Sequence, residues 1–108
     1  MSKQQIEMDY EVLLIRAAEQ DYNRLDGTIK KQAKTQLRKL TVSPELGRTL
    51  GKKMGLDLTD YRSLHFYGNK YRIVYKVDDG KRRIIIVGIG RRERAQIYDV
   101  VTRRVGRD

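Results

Sequence analysis

The sequence predicts an α+β fold: a small antiparallel sheet of an N-terminal strand plus a three-stranded meander, an N-terminal helical hairpin packed on it, and a C-terminal helix. Three observations carry this. Residues 61–98 hold three strand-like runs separated by tight-turn pairs. Residues 16–40 hold two amphipathic helical stretches divided by Asp26-Gly27-Thr28. After the last strand, Ile97, Val101 and Val105 recur at helical spacing.

Taken in order, residues 10–15 read as the first strand, with Tyr10, Val12 and Leu14 on one side and Leu13 and Ile15 on the other. Residues 16–25 continue as a helix whose narrow apolar face is Ala18, Tyr22 and Leu25. The helix over 28–40 is the clearest in the chain. Ile29, Ala33, Leu37 and Leu40 form its buried stripe, and Lys30, Lys31, Lys34, Arg38 and Lys39 cover the rest. Ser43-Pro44 starts a short helical turn, because Ser caps well and Pro suits the first helical position. Leu46 and Leu50 would pin that turn, Gly51 would end it, and residues 52–55 would form an exposed basic loop.

The meander follows. Gly68-Asn69 and Asp79-Gly80 are pairs that tolerate positive φ, so they join the runs around Leu64, Ile73 and Ile85 as hairpins. Residues 84–89 are apolar at every position but Gly88, which places that strand in the interior with both faces covered. Gly88-Ile89-Gly90 is no dinucleotide fingerprint, since a third glycine and a βαβ unit are missing. The C-terminal helix, about 92–104, has a thin apolar seam. A single domain over residues 1–108 is expected, with residues 1–8 as an N-terminal extension.

Composition bounds the chemistry. With 108 residues and no Cys, there is no thiol nucleophile, disulfide framework or Cys-based zinc site. Asp and Glu are scattered, so neither a metal nor another cofactor is expected. The start Met-Ser-Lys-Gln-Gln is polar and unlike a signal peptide, and no apolar run approaches the ~20 residues of a membrane span. The cytoplasm is the expected compartment and no membrane partner is expected. The formal net charge is +10, with −3 over residues 1–26 against +7 over residues 27–56. Such a field attracts polyanions and makes their binding salt-dependent.

Arg62, Arg72, Arg91, Arg92 and Arg94 recur where the meander strands begin and end, and together suggest a phosphate site. Arg72 is the strongest candidate. It lies inside a strand, where a bulky charge is costly unless it faces a groove, so it is expected to clamp a phosphate. Lys52, Lys53, Lys70, Arg91 and Arg94 are candidates for the surrounding phosphate contacts, with Arg94 equally placed to pair with Glu93.

Three motifs carry a resemblance. They are Ser43-Pro44-x-Leu46-Gly47-x-x-Leu50, then Tyr71-Arg72-Ile73-Val74-Tyr75-Lys76-Val77, then Gly90-Arg91-Arg92-Glu93-Arg94-x-x-x-Tyr98. In this order the chain from about Tyr10 to Arg104 resembles the RelE/ParE superfamily of toxins from type II toxin–antitoxin pairs. The last motif is similar to the RelE branch, whose members cleave messenger RNA, often in the ribosomal A site. The resemblance therefore implies a toxin acting as an endoribonuclease on mRNA, the ribosome as a further partner, and a cognate antitoxin protein. Two other readings stay open: a ParE-like inhibitor of DNA gyrase on the same fold, and a basic RNA-binding module without catalysis.

The resemblance also assigns roles. Arg92 would stabilise transition-state charge or assist the leaving group. Tyr98 would stack on a base or take part in proton transfer, unless it is a packing residue. Arg62 stands where the family usually carries a lysine, and a guanidinium that stays protonated is a poor base. The lone His65 titrates near neutrality and is the alternative proton acceptor. Strict alternation sets Arg62, Leu64 and Phe66 on one face and Ser63, His65 and Tyr67 on the other, so a bulge would be needed to bring Arg62 and His65 together.

Overall fold

The computed structural model describes residues 9–53, 56–92 and 96–105. Its elements are β1 (Glu11–Leu14), α1 (Arg16–Asn23), α2 (Gly27–Val42), a 3-10 turn (Pro44–Leu46), β2 (Arg48–Lys53), β3 (Leu56–Phe66), β4 (Tyr71–Asp78), β5 (Arg83–Arg91) and α3 (Gln96–Val105). All strands join one sheet in the order β1-β5-β4-β3-β2. The α+β class and the order of helices and meander are as predicted. The expected extension, residues 1–8, lies outside the described residues.

Two details of the sheet differ from expectation. First, it is mixed: β1 runs parallel to β5, with Val12 opposite Ile84 and Leu14 opposite Ile86. Alternation reveals which side chains share a face, but it is silent on the direction of the neighbouring strand. Second, there are five strands. The helix after Ser43 lasts one 3-10 turn, and residues 48–53 pair antiparallel with β3. They replace the rest of the expected turn and the first half of the basic loop expected over 52–55, whose residues 54 and 55 lie outside the described residues. A register shift between Thr49 and Gly51, with Gly51 at φ +71°, breaks the two-residue period that would have identified β2.

The sheet separates two apolar layers. On one face α1 and α2 bring Ala18, Ile29, Ala33 and Leu40 against Phe66, Ile73, Tyr75, Ile84, Ile86 and Ile89. On the other, Ile97 and Val101 of α3 pack on Val74 and Val87. Burying each such aliphatic side chain contributes roughly 1.5–3 kcal/mol, so the seam of α3 is a modest anchor.

The uniformly apolar run of β5 has a specific cause. Opposite β4, Val74 pairs with Gly88 but Tyr75 pairs with Ile86, leaving Val87 as an extra residue. This bulge returns Ile89 to the hairpin face occupied by Ile84 and Ile86, while Val87 joins the α3 face. Both layers thereby draw apolar side chains from one interior strand. The turns also depart from the simplest reading. Gly68 and Asn69 have positive φ as expected, but after Asp79 the positive φ falls on Arg82 and not on Gly80.

A buried hydroxyl ties the 3-10 turn to the sheet. Tyr75, fully buried in β4, accepts a hydrogen bond from the Gly47 N–H (2.8 Å) and donates to the Pro44 carbonyl (2.6 Å). Gly47 must be glycine, because a Cβ there would lie 2.8 Å from the Tyr75 hydroxyl. Tyr75→Phe should therefore lower the unfolding free energy by about 1–3 kcal/mol, since it leaves a buried N–H and C=O unpaired. Urea denaturation followed by circular dichroism measures this, and an unchanged midpoint would remove the hydroxyl from its anchoring role.

Candidate active site

Alternation and register bring one row of side chains to the face that carries α3. Ser63, Val74 and Gly88 lie side by side across β3, β4 and β5, and the next row on that face is His65, Arg72 and Gly90. Arg48 of β2 stands opposite Ser63. The two glycines leave the strand bare where α3 sits: a Cβ on Gly88 would be 2.7 Å from Val101 Cγ2, and one on Gly90 3.3 Å from Ile97 Cδ1. From α3, the Tyr98 hydroxyl reaches the Ser63 hydroxyl at 3.0 Å.

Arg72 is 5% exposed. Its Nη1 donates to the carbonyls of Asn69 (3.0 Å) and Tyr71 (3.1 Å), and more weakly to Asn69 Oδ1 (3.4 Å). Its Nε is buried and has no hydrogen-bond partner among the described residues. Part of the guanidinium thus holds the β3–β4 turn, and one charged N–H stays buried without a hydrogen-bond partner among the described residues. Leaving a buried donor unmet costs about 1–3 kcal/mol.

His65, directly across from Arg72, is partly buried. Burial pushes its pKa below the usual imidazole value, and the nearby charges of Arg72, Arg48 and Arg92 push the same way. A hydrogen bond with Asn69 opposes them. At neutral pH the ring is therefore uncharged and able to accept a proton. Three guanidinium groups, those of Arg72, Arg48 and Arg92, thus bear on a single imidazole. Arg92 is exposed, and its N–H donates to the Lys70 carbonyl at 2.9 Å, extending the pairing between β4 and β5. An open cleft of about 160 Å³ lies beside the row, lined by Leu46, Arg48, Ser63, Leu64 and His65. A larger one, about 320 Å³, lies near Tyr10, Pro44, Arg62 and Arg82 and shares no lining residue with it.

Not every candidate joins this row. Arg62 is in register with Tyr75 on the hairpin face, where its Nη1 donates to the carbonyls of Gly47 (2.7 Å) and Glu45 (3.2 Å). It braces the 3-10 turn and stands apart from Arg72. No bulge is needed to bring His65 to Arg72, because the two are in register on the same face. Arg91 lies on the hairpin face opposite Tyr71, its guanidinium 5.8 Å from the centre of that ring. Lys52 is exposed on the edge strand in register with Asp57, and Lys70 is exposed in the β3–β4 turn. Lys53 belongs to β2 by its backbone, and Arg94 lies outside the described residues.

Two members of the site were missed from sequence. Ser63 was legible as a face-mate of His65, but a hydroxyl in a strand carries no signal of its own. Arg48 could be found only by recognising β2. Among the described residues no group of His, Asp and Glu is placed to hold a metal ion. What the row offers is positive charge, one neutral imidazole and a pair of linked hydroxyls. That set can accept a proton and stabilise a phosphate that gains negative charge.

Comparison with known proteins places the chain. The family model described as the ParE toxin of the type II toxin-antitoxin system parDE matches residues 12–96. The mRNA interferase toxin RelE of Escherichia coli K12 is 27% identical over 85 residues, covering 79% of this chain and 85% of the relative. A putative RelE-like toxin protein of Escherichia coli is 28% identical over 98 residues, covering 91% and 99%. Among solved structures, a variant of E. coli toxin RelE in the free state superposes with a TM-score of 0.69 at 24% identity, covering 91% of this chain and 99% of that one. The toxin of the intact E. coli RelBE complex gives 0.61 at 26%, covering 78% and 98%. With the mixed sheet, the flanking helices and a family match over most of its length, this chain belongs to the ParE toxin family of type II toxin–antitoxin systems, on the RelE-like side of the RelE/ParE superfamily.

Proposed function

We propose that the protein is an endoribonuclease toxin that cleaves messenger RNA by attack of a 2′-hydroxyl on the adjacent phosphate. The observation that carries this reading is the row in which Arg72, with an unpartnered buried Nε, faces a neutral His65. His65 takes the proton of the 2′-hydroxyl as the 2′-oxygen bonds to phosphorus. Arg72, Arg48 and Arg92 hold the phosphate and stabilise its growing negative charge. The bond to the 5′-oxygen breaks, and that oxygen takes a proton from the Tyr98 hydroxyl, which regains one from water. The products carry a 2′,3′-cyclic phosphate and a free 5′-hydroxyl. Arg62 and Arg91 support the scaffold, while Lys52, Lys53, Lys70 and Arg94 steer the polyanion from the surroundings.

The relatives named mRNA interferase favour mRNA as substrate, and we propose in addition the ribosome as the setting and the cytoplasm as the compartment. The neighbours solved as toxin–antitoxin complexes favour a cognate antitoxin as partner. The sequence resemblance leaves a second reading open, gyrase inhibition without nuclease chemistry. In that case supercoiling by gyrase falls while RNA stays intact.

Arg72→Ala should lower the rate of cleavage of ribosome-bound mRNA by about 10²–10³-fold with the fold retained. Primer extension and analysis of the product termini measure it, and normal cleavage by the variant would overturn the site. The pH dependence follows from His65. Its folded pKa is depressed, so its contribution to stability is present above the unfolded value near ~6.5 and is lost as pH falls through the folded value. Between pH 7 and pH 5 the wild type should lose more thermal stability than His65→Gln, and the acid limb of its cleavage profile should lie below ~6.5. Identical pH profiles for the two proteins would remove His65 from the base role.

A further inference from the structure

The bulge in β5 leaves main-chain groups that the sheet does not pair, and an ion pair meets them. Asp21 of α1 accepts from the Ile89 N–H (3.0 Å) through Oδ2. Arg104, in the last turn of α3, donates through Nη1 to the Val87 carbonyl (2.8 Å) and to Asp21 Oδ2 (2.8 Å), and through Nη2 to Asp21 Oδ1 (3.1 Å). Both side chains are largely covered, at 21% and 11% exposure for Arg104 and Asp21. One fork of charge-assisted bonds therefore joins α1, the bulge and α3.

Its position is informative. Arg104 and Tyr98 lie on the same helix six residues apart, about 9 Å along the axis. Between them Val101 presses on the bare Gly88, and the seam of Ile97 and Val101 is thin. An apolar seam resists lifting of the helix but permits sliding and rotation, because dispersion contacts are not directional. A bidentate pair seated on two main-chain groups is directional and fixes both. A displacement of ~1 Å at a reacting group is enough to cost up to about a hundredfold in rate.

We infer that Asp21 and Arg104 are positioning residues, which set the register of α3 on β5 so that the Tyr98 hydroxyl stands at Ser63 in the active row. Neither side chain is assigned contact with RNA. The inference rests on the proposed ribonuclease reading for its kinetic consequence and stands on the geometry alone for its structural one.

The test combines Asp21→Asn and Arg104→Lys with Tyr98→Phe in the full-length protein. Asp21→Asn should lower kcat by about tenfold or more with little change in KM, because the phosphate-binding guanidinium groups are untouched. Arg104→Lys keeps the charge without the fork and should fall between wild type and Asp21→Asn. In a Tyr98→Phe background, Asp21→Asn should cost almost nothing further, since both act through the same hydroxyl. Full additivity of the two losses would overturn the inference and leave a general structural role. Hydrogen exchange separates this outcome from failure of the nuclease reading. Amides of residues 97–105 should exchange faster in Asp21→Asn and Arg104→Lys while those of β4 keep their protection, whether or not the protein cuts RNA. Unchanged exchange in both variants would also overturn it.

Discussion

The register that sets Arg72 between His65 and Gly90 is the constraint on which the rest of the site depends. A guanidinium that is 5% exposed would be expelled from an interior strand unless its donors were met. Here the β3–β4 turn supplies carbonyls for one terminal nitrogen, which is why Asn69 curls back at φ +71°. Across the strand, Gly90 has no side chain to compete for space, and His65 stays neutral beside the fixed charge. The positive end of the sheet is thus preorganised before any anion arrives. The buried guanidinium of Arg72, held by the turn, acts more strongly on nearby charges than the exposed Arg48 and Arg92, which ions screen within about 10 Å.

The helix on this face is held by different physics from the helices on the other. The hairpin α1–α2 covers a broad apolar surface, including Tyr75 and three isoleucines of β5. The C-terminal helix α3 rests on a few aliphatic side chains and on the absence of Cβ atoms at Gly88 and Gly90. Its polar contacts include those of Tyr98 with Ser63 and of Arg104 with Asp21 by the bulge. The bulge is what allows both arrangements, since an extra residue in β5 turns apolar groups to both faces and exposes main-chain groups for Asp21 and Arg104.

Much of this was legible in the sequence where local chemistry dominates. The stripe Ile29, Ala33, Leu40 is buried as its 3.6-residue spacing requires, and the Gly68-Asn69 turn adopts the positive φ that marks it. Arg72 stood out because a charge within an apolar strand demands a reason. What was not legible came from pairing between distant segments. β2 was hidden because Gly51 interrupts its alternation and because its partner, β3, lies beyond the intervening residues. The choice between the Arg62 face and the His65 face needed the register against β4, which no local pattern encodes. Arg62 lies on the hairpin face and braces Gly47, a contact fifteen residues away in sequence.

In the proposed reaction, fixed cations on this face make the RNA's own hydroxyl the attacking group. The most direct measurement replaces the nucleotide 5′ to the cleaved phosphate with its 2′-deoxy counterpart in an otherwise unchanged message and follows single-turnover cleavage. The account predicts that binding is retained, cutting at that bond is abolished and neighbouring bonds are unaffected. Cleavage of the deoxy-substituted bond at the normal rate would contradict it, because the phosphate would then be attacked by some other nucleophile.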